Sequence, residues 1–179
     1  FYTTGEIPMI VVEKQNYSMH NPKWKYVLGP ETYETKDTPM RVEAIRQKLS
    51  ADSRFEFCKA HEFPERYLAR LHPYHDFIKW TSQGITGDEE AVYPDLFPGE
   101  GAHLPRRFDN PLWGGLFCTD AVTPIMRRTY EVARGSAEAA MTGASLLLES
   151  GHREVYALCR PSGHHAGPRV FGGYCYFNN

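Results

Sequence analysis

Residues 154–179 read EVYALCRPSGHHAGPRVFGGYCYFNN, and the fold is read outward from them. Glu154 to Cys159 is a short β-rich run. A Gly- and Pro-rich loop follows at the carboxyl end of this expected strand and carries two adjacent histidines, His164 and His165. Open α/β sheets place ligands beyond the carboxyl ends of their strands, so the loop lies where chemistry is expected. Met9 to Glu13 and Arg54 to Cys58 are two further strand candidates. Between them, Thr38-Pro39 offers a cap and a first-turn proline, after which Val42, Ile45 and Leu49 share one helical face. Tyr67, Leu68 and Leu71 suggest another helix, which Pro73 interrupts before Phe77, Ile78 and Trp80. The longest helix is expected from Thr123-Pro124, with Ile125, Thr129, Val132, Ser136, Ala140, Gly143 and Leu147 at helical spacing. Strand, helix and strand in alternation give an α/β layered fold.

Positions 83–122 resist this scheme. Gly84, Gly87, Gly99 and Gly101 mix there with Pro94, Pro98, Pro105 and Pro111, and no period is sustained. Structureless loops of this length are uncommon in compact domains unless they are functional. Tyr93, Phe97, Phe108, Trp113 and Phe117 predict that the segment is packed, against its own domain or a second subunit. The chain shows no internal repeat, and a single domain is the simplest organisation.

With 179 residues and 41% hydrophobic content the chain is long enough for one substantial core. The balance of 20 Lys+Arg against 22 Asp+Glu gives a net charge of −2, which predicts no general affinity for nucleic acid or anionic membrane. No apolar run approaches the ~20 residues that cross a bilayer, and the start lacks a signal-peptide plan, so a soluble location is expected. Cys58, Cys118, Cys159 and Cys175 are widely spaced. They read as reduced thiols of a cytoplasmic protein.

An arbitrary His-His pair in a polar loop is usually solvated surface. Here the surroundings argue otherwise. Gly163, Gly167, Gly172 and Gly173 admit close backbone approach to a ligand, and Phe171, Tyr174, Tyr176 and Phe177 offer an apolar wall. Adjacent histidines diverge too much to chelate one ion easily, so they fit better as an acid and base pair beside a separately held ion. A Cys/His hydrolase is an alternative, because Cys159 and Cys175 lie close in sequence. Both thiols read more readily as core residues.

The string RPSGHHAGPRVFGGYCYFNN resembles the tandem-histidine signature of the histone deacetylase and acetylpolyamine amidohydrolase family. Leu104 to Arg107, Gly115 to Phe117 and Thr123 to Ile125 extend the likeness to the bacterial polyamine-directed branch, with weaker likeness at Pro39 to Arg41 and Leu71-His72. Ser162 departs from it, standing where the commonest family string has a second proline. The resemblance implies an arginase-like α/β fold with a mainly parallel sheet flanked by helices, of which residues 1–179 form the N-terminal portion. It implies that His165 is the general base for the attacking water and that His164 stabilises charge in the transition state. Gly173 corresponds to a backbone carbonyl near the bound amide, Tyr174 to an aromatic wall of a narrow tunnel, and Arg41 to an arginine at the tunnel's inner end. The implied cofactor is zinc. Its Asp-x-His and Asp ligands are expected beyond Asn179, as is a further transition-state residue, so this chain alone is expected to be inactive.

The implied substrate is an acetylpolyamine, acetyl-lysine or a similar acetylated amine, and the long loop is the expected site of a homodimer contact. Asp88, Glu89, Glu90 and Asp95 make that loop acidic, which suits a cationic chain, while Arg106 and Arg107 offset it. Pro111 stands where the polyamine-directed branch carries a glutamate. Two other classes stay open: a metal-free binding or assembly module that retains the loop, and an arginase-like ureohydrolase.

Overall fold

Met9–Glu13 forms β1, the centre of a three-stranded parallel sheet in a computed structural model that describes residues 7–23, 25–28, 31–95, 97 and 109–179. Its run of β-branched residues suits a strand covered on both faces, and Ile10, Val11, Val12 and Glu13 are all buried. β4 (Phe55–Lys59) and β7 (Val155–Leu158) flank it in the order β4-β1-β7, with Val11 opposite Phe57 and Tyr156. The strands expected from sequence are therefore present, β4 shifted by one residue. Among the described residues no strand pairs with the outer edge of β7, where Tyr156 is exposed.

Two small antiparallel pairs accompany the sheet: β2 (Lys25–Leu28) with β3 (Glu31–Glu34), and β5 (Ala91–Val92) with β6 (Ile125–Met126). α1 (Pro39–Ser50) begins at the expected proline, although Thr38 makes no side-chain cap bond. Of its expected apolar face, Val42 is buried and Leu49 partly so, whereas Ile45 is exposed. α2 (Glu65–Leu71) and α3 (His75–Gly84) are broken around Pro73 as the sequence implies.

The long helix is a correction. α4 (Thr129–Glu149) starts later than Thr123-Pro124. Ile125 and Met126 pair with β5 instead, and the Met126 N–H donates to Thr129 Oγ1 at 2.7 Å. Once started, the helix packs on the sheet through small residues. A methyl group on Gly143 would lie 3.3 Å from Val155 Cγ1, so larger side chains there would push α4 away from β7.

The segment 83–122 is also less structureless than expected. It contains the end of α3, β5 and a 3-10 helix over Pro111–Leu116. Trp113 packs against the main core and Phe117 is part of it, while Phe97 is exposed. Phe108 and Leu104 to Arg107 lie outside the described residues.

That core also holds Tyr74, Phe77, Phe171, Tyr176 and Phe177, so three of the four aromatics that follow the histidines are buried. Beside it, His20 is buried with Nδ1 3.0 Å from Thr129 Oγ1 and its ring edge-on to Tyr176. Burial, helped by the nearby Arg160 charge, lowers its pKa to about 3. Between pH ~6.5 and about 3 the unfolded chain takes up a proton that the folded chain refuses, so stability falls as pH falls through this window. Replacing His20 with the non-titrating Asn is expected to flatten unfolding free energy against pH there by about 1.4 kcal/mol per unit. Denaturant unfolding at pH 6 and pH 4.5 measures it, and an unchanged slope removes His20 as the source.

Candidate active site

Arg160 begins the loop that leaves β7 and ties it to the rest of the molecule. Its guanidinium is buried and donates to the carbonyls of Tyr17, His20 and Asp37, the last two at 2.6 and 2.7 Å. The Asp37 carboxylate lies 3.5 Å from Arg160 Nε. Burial pushes Asp37 up and Arg160 down, and each charge opposes the other's shift. Burying this pair without a full set of hydrogen bonds costs stability, which the three carbonyl contacts partly offset.

After Pro161 the chain turns through Gly163, where a methyl group would sit 2.4 Å from the Phe177 carbonyl and 2.6 Å from the Asn179 nitrogen. No other residue type fits there without moving the backbone. Asn178 and Asn179 close the loop from the far side. The Asn178 amide donates to the carbonyls of Gly163 and Ala166, and that of Asn179 to Ser136 Oγ and the Pro161 carbonyl.

His72 and Tyr74 form a second clasp. His72 Nε2 accepts the Asn178 N–H at 3.1 Å, which places its ring proton on Nδ1, 3.1 Å from the Gly167 carbonyl. The Tyr74 hydroxyl donates to the Tyr176 carbonyl at 2.9 Å. Desolvation lowers the His72 pKa, which favours this neutral form. The sequence marks His72 only through the weaker family likeness at Leu71-His72; the structure buries it under the loop.

Held in this way, His164 and His165 stand side by side and exposed, with ring centroids 4.3 Å apart at 48°. His165 rests on Gly173, where a methyl group would lie 2.6 Å from its Cδ2 atom. Gly173 and Tyr174 both have left-handed backbones, φ +56° and +63°. This turn takes Tyr174 out of the buried run, leaving it only partly buried while Phe171, Cys175, Tyr176 and Phe177 enter the core. The expected aromatic wall is thus reduced to Tyr174. The other three aromatics hold the loop from beneath, Phe171 and Phe177 packed against Tyr74 and Tyr176 against Phe171, because their apolar area is worth more buried than exposed.

His164, His165, Gly173 and Tyr174 are therefore brought together. Arg41 lies on the first turn of α1 and is exposed. Its charge acts on Asp37 and Arg160 at the base of the loop.

The cysteines are free. Burial raises Cys118 to about 12 and pushes Cys159 and Cys175 above the usual thiol range. Protonated thiols are poor nucleophiles, which argues against the Cys/His alternative.

Among the described residues one other grouping of possible metal ligands occurs, Glu65, His75 and Asp76. Lys79 already sits on Glu65 at 2.7 Å and Tyr130 donates to it at the same distance, so we read it as a charge network on α2 and α3. A recess of about 890 Å³ lies at the opposite, amino-terminal end of the strands, lined by Met9, Arg54, Phe55, His152 and Arg153. It is remote from the histidines, and size alone does not make it the reaction site.

The histone deacetylase domain matches residues 35–179. Acetylpolyamine amidohydrolase 1 of Pseudomonas aeruginosa is 32% identical over 152 residues, which are 80% of this chain and 43% of that protein. Acetylpolyamine amidohydrolase of Mycoplana ramosa is 30% identical over 184 residues, 96% of this chain and 51% of that protein. The crystal structure of acetylpolyamine aminohydrolase from Burkholderia pseudomallei superposes with a TM-score of 0.80 at 25% identity, over 96% of this chain and 50% of that one. The chain spans about half the length of the relatives it matches.

Proposed function

The chain belongs to the histone deacetylase domain family, and we propose that it carries the proton-transfer half of a zinc-dependent deacetylase acting on acetylated amines. Its fold is the arginase/deacetylase one. The observation that carries the reading is the exposed His164–His165 pair, 4.3 Å apart, with His165 seated on Gly173.

Hydrolysis of an acetyl amide needs a base for the attacking water, a group to hold charge as the tetrahedral carbon forms, and an acid for the departing amine. His165 takes the proton from the water and returns it to the amine nitrogen. His164, whose ring lies against it, holds charge. The Gly173 carbonyl accepts the amide N–H, Tyr174 flanks the slender chain of the substrate, and Arg41 stands at the inner end of the passage.

Zinc, when bound, polarises the acetyl carbonyl and acidifies water. Among the described residues the donor set does not fit that ion. The two histidines are adjacent, and the grouping at Glu65 is already paired with Lys79. We assign the ion's ligands to a segment beyond Asn179. The substrate we assign is an acetylated amine, an acetylpolyamine or acetyl-lysine, and the names of the Pseudomonas and Mycoplana relatives, acetylpolyamine amidohydrolases, support the first.

Purified residues 1–179 are expected to hold well under one zinc per chain and to release no acetate from an N-acetylated diamine. The same chain extended through its downstream half is expected to do both. One tightly bound zinc per chain in untagged 1–179, with acetate release, contradicts the division of the site.

A further inference from the structure

We propose that Asp120 is a positioning residue for this reaction, locking the Gly173–Tyr174 turn on which His165 rests; the proposal builds on the deacetylase reading above. The backbone N–H groups of the two left-handed residues both find acceptors on one neighbouring turn, that of Asp120 and Thr123. Gly173 N–H donates to Asp120 Oδ2 at 2.6 Å, and Tyr174 N–H donates to Thr123 Oγ1 at 3.0 Å. The Thr123 hydroxyl donates in turn to Asp120 Oδ2 at 3.0 Å, while Oδ1 accepts the Val122 N–H at 2.8 Å. One carboxylate thus closes its own turn and holds a second turn 53 residues away in sequence.

A left-handed tyrosine is unfavourable by itself and persists only where its surroundings impose it. The short, charge-assisted bond to Gly173 supplies that constraint. The other side of the same glycine is the seat of the His165 ring, within 2.6 Å of where a methyl group would be. If Asp120 lets go, the turn relaxes, and both the imidazole and the Gly173 carbonyl lose their fixed positions. Misplacement of reacting groups by about 1 Å can cost 10²-fold in rate.

The test is Asp120→Asn in the full-length, zinc-loaded protein. Asn keeps the volume but offers one accepting oxygen, which cannot serve both Val122 and Gly173. Per folded enzyme, kcat is expected to fall at least about 10-fold with KM within about 2-fold, and the Gly173 and Tyr174 amides should exchange hydrogen about 10-fold faster. Added to His165→Ala, the same change should cause only the small further loss that the Gly173 carbonyl accounts for, far short of full additivity, because Asp120 acts chiefly through His165. An unchanged kcat, unchanged exchange at these two amides, or a loss that adds fully to that of His165→Ala overturns the proposal. If Asp120→Asn does not fold, Thr123→Val decides on the same three criteria. Full activity in His165→Ala alone would instead sink the deacetylase reading, which keeps the two failures apart.

Discussion

His165→Ala, made in the protein extended through its downstream half, is expected to lower kcat by about 10²- to 10⁴-fold. The magnitude is the usual share of a positioned base, and the structure gives His165 the means to be one. Its ring is exposed beside His164 and rests against Gly173. Because neither histidine is assigned to the metal, zinc content should remain at its wild-type level. Loss of a group used in the transition state should lower kcat and kcat/KM together. Near-wild-type turnover, or loss of zinc in step with activity, removes His165 from the proton-transfer role.

Gly173→Ala is expected to be nearly as damaging although it deletes nothing. The added methyl group would lie 2.6 Å from His165 Cδ2 and 3.0 Å from Cγ, so the ring or the turn has to move. The backbone at φ +56° adds about 1–2 kcal/mol of strain for any residue with a Cβ. Gly151→Ala separates the two effects, since that glycine has φ +71° but nothing within 4 Å of the added carbon. Gly151→Ala should lower the melting temperature and leave kcat alone. Gly173→Ala should lower the melting temperature similarly and kcat by about 10²-fold. Equal kcat for the two variants contradicts the idea that His165 depends on its glycine seat.

How much of this was legible in the sequence depended on how local each signal was. β1 was readable in full because Met9 to Glu13 is a continuous β-rich run, with Ile10 to Glu13 buried, whose pattern is its own evidence. The break between α2 and α3 was readable because Pro73 acts on its immediate neighbours. The start of α4 was not. Thr123-Pro124 has the look of a helix start, but Asp120 holds the Thr123 hydroxyl, β5 pairs with Ile125 and Met126, and Tyr176, 52 residues on, donates to the Pro124 carbonyl.

The site divides along the same line. The His-His pair and its glycines stood out because they are consecutive. Which aromatics face a ligand did not, since that is settled by the left-handed turn at Gly173 and Tyr174 and by the stacking of Phe171 and Phe177 on Tyr74. Asp120 carried a local hint, its side chain closing a turn to Val122, but no spacing rule points from it to Gly173. His72 was likewise invisible as a clasp, because its partners Gly167 and Asn178 lie far along the chain.

If this chain supplies acid–base groups to a metal-dependent amide hydrolysis, acetate release from an N-acetylated diamine or an acetyl-lysine peptide should follow the metal. Measured on the extended protein before chelation, after it, and after zinc is restored, release is expected from at least one of the two, with loss on chelation and recovery with zinc. Release that survives complete removal of metal, or none from either substrate by a folded, zinc-loaded protein, contradicts it.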